Sequence, residues 1–451
     1  MVTREGFESV VDFAFSGSGF AAEAAKHAFP SQMFLPGSDL SAIEENIEKL
    51  VHGLVHWEPS KAQEPLVAPH PITVEGEDYH DAVDKLNALF LRNLWSDGLP
   101  IVPPTEKRVN WLLTGTEFPR DKIIGAILPR GGLATVSTVA TAAAMAGCRP
   151  EYMPILIAAM QAILDPISYH QHMQATTGSP SPAVIVNGPI AKQVRLNSGY
   201  GCLGPNALYP AGASIGRAIR FLLVNVGGAI PGVGSMSIHG GPARYAGLVF
   251  AEDEEGLPSN WLPLNVERGF RQGADTVTVL PTSGSTMIWE GAPLNEREAL
   301  FTLFDFAANM SVPYGAYYAA GFNPHGAPGI ALIGRAAAQG FAKLGWSQDA
   351  IKTYLWEHSK LPDSPWLRKT LEHFSRRGLF VKDHIGYPMP IAVAPRNIML
   401  VVAGGQQSGH SYWLRGHGGT YGPCTKEIVL PSNWIELLSK AEEELGPIAV
   451  L

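Results

Sequence analysis

Cysteine is scarce in this chain of 451 residues: there are three, Cys148, Cys202 and Cys424, with no Cys-x-x-Cys pair and no even framework. That excludes a secreted scaffold stapled by disulfides and makes a reducing, cytoplasmic setting the expectation. Charge is scarce too, at 16% of residues beside 46% hydrophobic ones, where about 25% charged is ordinary. Disordered chains combine high charge with low hydrophobicity, so that class is excluded. There is no basic excess. The net charge is -8 and the isoelectric point near 6.0, and a nucleic-acid partner is not expected.

Long apolar runs are missing as well. Leu133–Gly147 is uncharged but short and rich in Ala, Ser and Thr; Ile219–Ile238 carries Arg220 and is broken by Gly227, Gly228, Pro231, Gly232 and Gly234. Neither reads as a membrane span, so no membrane partner is expected. Glu5, Glu8 and Asp12 make Met1–Gly17 unlike a signal peptide. No Walker A loop is present, nor a dinucleotide fingerprint with its acidic partner. The sequence therefore names no cofactor.

What is abundant is glycine (48) and proline (36). A 48.4 kDa chain folded as one monomer exposes roughly 17,000 Å². Covering that with so few charges is awkward, so some surface is expected to lie between subunits in a homo-oligomer. Residues 1–64 read as a small N-terminal appendage. In it Ser41-Ala42-Ile43-Glu44 has the form of a capping box, leading into a helix with Ile43, Ile47, Leu50, Val51, Leu54 and Val55 on one face. Proline-rich Pro59–Thr73 reads as a linker, and 65–451 as the main body.

In that body, helices are predicted over Asp78–Trp95, Thr105–Leu113, Ser137–Ala146, Pro150–Leu164, Ala211–Val224, Asn295–Ala308, Ala336–Leu344, Ser347–Glu357, Trp366–Arg376 and Trp434–Leu445. Strands are predicted over Lys122–Ile127, Ala183–Val186, Ala246–Phe250, Thr276–Leu280, Ile330–Ile333 and Ile398–Val402. The order argues for an α/β fold, a layered and mostly parallel sheet covered by helices. Val184–Ala191 and Ile330–Ala337 share one plan, an apolar run, a Gly and a short helix. This suggests an internal duplication, about 75–290 and 291–451.

Candidate chemistry gathers near glycines after strand ends: Asn197–Gly204, Gly227–Gly241, and Gly404–Gly409 running on to Gly416–Gly419. In open α/β sheets ligands bind there, where backbone N–H groups approach anions. Asn187, Gly404, Gly405, Thr176 and Thr177 are candidate substrate contacts on this basis. His410, His170 and His417 are candidate bases, since imidazole titrates near neutral pH. His170 and His172, one residue apart, share a face if extended and form a candidate metal pair. Arg217 and Arg415 are candidate carboxylate clamps. Cys148, beside Arg149, and Cys424, near Lys426 and His417, are candidate thiols. For each of these the plain alternative is a buried or solvated structural residue. The run Glu252-Asp253-Glu254-Glu255 reads as a solvated turn, with a catalytic acid as the sharper alternative.

Several ordered motifs point further. They are Asp97-Gly98-Leu99-Pro100 with Pro103-Pro104-Thr105, Met145-Ala146-Gly147-Cys148-Arg149-Pro150-Glu151-Tyr152, Asn187-Gly188-Pro189-Ile190-Ala191, Ile215-Gly216-Arg217-Ala218 and Gly345-Trp346-Ser347. Together they resemble the large C-terminal region found with UGSC-type (seleno)proteins, over most of 75–451, and residues 1–60 are similar to the tail of the UGSC domain. The namesake Cys/Sec-Gly-Ser-Cys element is absent; Ser283-Gly284-Ser285-Thr286 imitates it without a thiol. The resemblance implies kinship, and a possible hetero-oligomer with a thiol-bearing homologue.

Three functional expectations follow. The first is a lyase or hydrolase acting on a small polar or anionic molecule by acid/base C–X chemistry. The second is the substrate-binding or scaffold subunit of a thiol-redox complex. The third is a non-catalytic assembly protein.

Overall fold

The computed structural model describes residues 1–17, 20, 26–34, 38–58, 71–241, 247–289, 292–311, 326–361, 363–365, 368, 388–407, 409–417 and 422–447. Most of the linker and all but one residue of the Trp366–Arg376 helix lie outside them.

In the appendage, β1 (Val2–Arg4) pairs in parallel with β2 (His27–Phe29) around the helix Glu8–Gly17. Phe13 of that helix packs on Gly228, where any Cβ would lie 2.2 Å from its ring. The Ile47–Val55 helix forms as its periodicity dictates, but none of its residues is buried. The capping box does not form. Ser41 is the first helical residue rather than the cap, and Asp39 takes its N–H at 2.9 Å.

The body opens with helices Tyr79–Arg92 and Glu106–Leu113, capped by the side chains of Asp78 and Thr105. A hairpin of β3 (Ile123–Ile127) and β4 (Gly132–Thr135) follows. The helices Val136–Met145 and Met153–Ile163 are apolar nearly all round and nearly all buried, as helices wrapped by protein on every side must be.

The main sheet uses β5 (Ser181–Asn187), β6 (Leu248–Ala251), β7 (Thr276–Trp289), β8 (Gly329–Ile333), and, after the small β9 (Lys360–Leu361) and β10 (Met389–Pro390) pair, β11 (Met399–Val402), β12 (His410–Gly416) and β13 (Cys424–Glu427). Its order is β11-β8-β12-β7-β5-β6, with β13 also on β7. The fold is α/β and the sheet is mixed. β5/β6 and β8/β11 are parallel, each joined through crossover helices, while the pairings among β5, β7, β12 and β8 are antiparallel. The strand order is symmetric about the β7/β12 ladder, and the two echoing segments supply β5 and β8, the middle strands of the two halves.

Two stretches differ from their sequence reading. β7 runs on to Trp289, so Ser283–Thr286 lies inside a strand. The segment after Gly404–Gly409 is not a loop: Tyr412-Trp413-Leu414 is paired on both sides, by β7 and β8. Flanking glycines hid a strand whose Ser411, Trp413 and Leu414 are buried.

Period-two alternation sorts the sheet residues. Val184, Val186, Val249, Ala251, Val277 and Val279 face the helices of the first half. Ala331, Ile333, Leu400, Val402 and Trp413 face those of the second. Ala183, Ile185, Phe250, Leu280, Ile330, Leu332, Val401 and Leu414 form a third core on the inner face. The sheet curls around this core until its edges meet, where the Asp253 N–H donates to the Val402 carbonyl at 2.7 Å.

Candidate functional site

Asp165 starts the local structure that matters most here. Its carboxylate accepts the Ile167 N–H at 3.1 Å and caps the turn Pro166–Ser168. The turn ends in Tyr169, a non-glycine residue in the left-handed region (φ 44°), a conformation that costs an L-residue about 1–2 kcal/mol. The short helix His170–Ala175 follows. His170 and His172 are therefore helical, not extended, and point to different sides. His170 accepts the Leu128 N–H on Nε2 at 3.2 Å. His172 stacks on Tyr169, with centroids 5.8 Å apart, and faces His417 at 5.9 Å. The His170–His172 metal pair is corrected accordingly. Among the described residues, no group of three or more His, Cys, Asp or Glu could hold a metal ion.

Burial lowers the pKa of both His170 and His172. His417, at the end of β12, falls to about 4, chiefly by burial and further by the positive charges of His172 and Arg415. The facing pair is thus uncharged at neutral pH.

Close by is a cavity of about 220 Å³ lined by Ile167, Glu267, Arg268, Arg396, Asn397 and Pro423 among others. Arg268 donates to the Pro423 carbonyl at 2.7 Å and to Thr425 Oγ1 at 3.4 Å, and burial lowers its pKa. Neither Arg268 nor Arg396 forms an ion pair among the described residues. Glu267 also lines the cavity and interacts with Arg268 through its charge, but Lys352 holds both its oxygens at 2.7 and 2.8 Å. Neither histidine lines the cavity, but residues next to each of them do. Ile167 belongs to the turn that carries Tyr169. Ala327 abuts Gly416, where a Cβ would stand 2.7 Å from its carbonyl oxygen, and the next residue is His417. A larger cleft of about 390 Å³ around Asp97, Arg220 and His239 has less to offer chemically, since Arg217 already holds Asp97.

The other sequence candidates fall elsewhere. His410 is exposed at the start of β12, 5.3 Å from Trp289. It lies roughly 20 Å from His417 along the strand, so the two cannot serve one site. Arg415, between them, sits 3.4 Å from Ser283 Oγ. Arg217 grips Asp97 with two bonds of 2.8 and 2.9 Å and reaches the Leu99 and Pro100 carbonyls, so it pins a loop rather than awaiting a substrate. Gly404 donates to the Ser198 carbonyl at 2.8 Å, and Gly405 lies flat on the Tyr200 ring. These glycines bring two loops together. Thr176 accepts the Gly178 N–H, and the Thr177 carbonyl takes the Ile238 N–H, which braces the loop after the helix. All three cysteines are free and buried. Burial pushes Cys148 far above its usual range, Cys202 to about 12, and Cys424 to about 11 with help from Asp165.

The acidic run is only partly a solvated turn: Glu255 is exposed, but Glu252 and Asp253 are buried. Glu252 is buried on the inner face at the end of β6, next to Asn187 at the end of β5. Its Oε2 accepts from Asn187 Nδ2 at 2.6 Å and from the Leu264 N–H at 2.7 Å. Burial raises its pKa to about 8, and the nearby Glu254 and Glu267 add to the shift. Asp253 points the other way and is held in a two-pronged pair by Arg335 at 2.7 and 2.6 Å. The in–out alternation of β6, continued past its end, was the signal available for this.

No family model, curated protein or solved structure matches this chain. None of the helices among the described residues is long and apolar enough to cross a membrane.

Proposed function

We propose that the chain is an enzyme acting on a small anionic molecule, one bearing a carboxylate, and that it breaks or forms a C–X bond by proton transfer, in the manner of a lyase or hydrolase. The observation that carries this reading is the pair of arginines, Arg268 and Arg396, lining one cavity without ion-pair partners among the described residues. Guanidinium groups recognise carboxylates through paired N–H donors. In this reading the two arginines hold the anion, and Asn397 lines its seat.

His172 and His417 supply the proton-transfer groups. Burial chiefly holds His417 unprotonated, with the nearby positive charges adding to it; a bound anion favours the protonated form, so substrate arrival raises its basicity. Proton abstraction then begins with the substrate in place. Three buried thiols with raised pKa values yield little thiolate, so in the thiol-redox alternative suggested by the UGSC resemblance this chain would be the substrate-binding or scaffold subunit and a partner would carry the reactive dithiol. The three free thiols fit a reducing compartment such as the cytoplasm. A homo-oligomer is proposed with it, in keeping with Phe301 and Phe304, 61% and 64% exposed on the Glu296–Met310 helix.

The test is a screen of small mono- and dicarboxylates by thermal shift, with turnover of each hit followed by product detection. The reading expects a saturable hit that is turned over by the wild type and lost with Arg268→Ala. Hits indifferent to Arg268 and Arg396 contradict it.

A further inference from the structure

A second polar centre lies on the inner face of the curled sheet, beyond the apolar core. Three strands contribute one inward residue each. Asn187 and Thr276 are direct partners across β5 and β7, and Glu252 flanks Asn187 on the other side and is bonded to it. Asn265 closes the group from the helix Leu264–Glu267. Its Nδ2 is tied at 3.0 Å to the carbonyl of Ala274, two residues before Thr276. All four residues are buried, three of them completely.

Each has one oxygen without a hydrogen-bond partner: Asn187 Oδ1, Glu252 Oε1, Asn265 Oδ1 and Thr276 Oγ1. Buried polar atoms are nearly always satisfied, and an orphan costs about 1–3 kcal/mol. Four in one layer is therefore a demand for a ligand. The side-chain nitrogens of both asparagines are already engaged, so their amide oxygens can only accept. Strand pairing sets Asn187 beside Thr276, a hydrogen bond sets it beside Glu252, and the Asn265–Ala274 bond brings the fourth residue to the start of the same strand.

The local charge has the same sense. Asp253, Glu255 and Glu267 have their own cations in Arg335, Lys192 and Lys352. Glu252 and Glu254, joined through Asn187 Nδ2, have none among the described residues.

We propose that Asn187, Glu252, Asn265 and Thr276 form a buried site for a hard monovalent cation, sodium or potassium, bound through their unpartnered oxygens. Oxygen donors select hard ions. Burial alone favours the protonated form of Glu252 at neutral pH; a bound cation would hold it as the carboxylate, and one negative charge among three neutral oxygens balances a single positive charge, whereas calcium sites draw on several carboxylates. The ion would fasten the ends of β5 and β6 to the start of β7. The site is separate from the arginine cavity; Leu264, whose N–H binds Glu252, also lines that cavity.

The test uses the full chain, exchanged into choline chloride at fixed ionic strength. Thermal unfolding is followed on titration with sodium, potassium or calcium chloride, and crystals are soaked in thallium(I). The expected result is a saturable rise in Tm of several degrees with an alkali ion and an anomalous thallium peak within the layer. Both should disappear in Glu252→Gln, and the Tm response should weaken in the milder variant Thr276→Val. An ordered water in place of the thallium peak, or equal stability in choline and alkali salts, overturns the site. A response to calcium alone overturns the monovalent assignment. Neither arm depends on carboxylate binding, so failure here and failure of the proposed activity are distinguishable.

Discussion

His172 and His417 face each other at 5.9 Å between ring centroids, although one follows a capped turn before β5 and the other ends β12. The curled sheet brings the two ends of the body together, and burial keeps both rings neutral.

Acid should therefore weaken the fold in a defined window. The folded pKa of His417 is about 4 against an ordinary value of 6.5. Between those values the unfolded chain binds more protons, so stability is complete above pH 6.5 and falls as pH drops towards 4. The loss from this residue is on the order of 3 kcal/mol. Urea unfolding at pH 7, 6, 5 and 4 should show it, and His417→Gln should flatten the curve. Some slope should persist, because His170 and His172 are shifted in the same direction. An unchanged slope in the variant would remove His417 as the source.

Arg268→Ala and Arg396→Ala should each weaken carboxylate binding by about 10- to 100-fold, as loss of one charge-assisted pair does; Arg268→Ala should also lose some stability, because it frees the Pro423 carbonyl. Lysine at either position should restore charge but only part of the affinity. Thermal shift against ligand concentration reads both effects. Equal affinities across the series would place the anion elsewhere.

Arg217→Ala should behave in the opposite way. It strips Asp97 of a mostly buried partner and frees two carbonyls, at a cost of about 2–4 kcal/mol in stability. Ligand affinity per folded molecule should not change. A variant as stable as the wild type, or one whose loss is confined to binding, would contradict the pinning role.

Thiol reagents should find little to react with. Iodoacetamide should label Cys148, Cys202 and Cys424 slowly in the native protein at pH 7.5, and all three readily in urea. Mass spectrometry after timed quenching distinguishes the cases. Rapid native labelling of Cys424, the thiol shifted least, would contradict its burial and make it a candidate nucleophile.

The α/β class, the near-apolar helices and the β5 and β8 strands were legible because each follows from periodicity and local caps. Thr105 and Ser347 cap the helices their positions implied. β12 was not legible, since glycine-rich flanks outweighed a seven-residue strand that carries His410, Ser411 and Arg415 among its apolar residues. Nor was the His170–Ala175 helix, whose start depends on the Asp165 cap and the left-handed Tyr169. Of the candidate site, His417 and His172 were visible as residue types, but their meeting is tertiary. Arg268 and Arg396 carry no motif at all, because a clamp assembled from a helix end and a loop leaves no spacing to read. Arg217 was misread for a related reason: only the fold reveals that Asp97 already occupies it.

The central claim is that one anion seat and one neutral histidine pair work together. Calorimetric titration of the best carboxylate ligand at pH 5.5, in two buffers of different ionisation enthalpy, tests it most directly. The account predicts binding with net uptake of protons, uptake reduced in His417→Gln, and binding abolished in the Arg268→Ala, Arg396→Ala double variant. Tight binding that takes up no protons, or that survives the double variant, would contradict it.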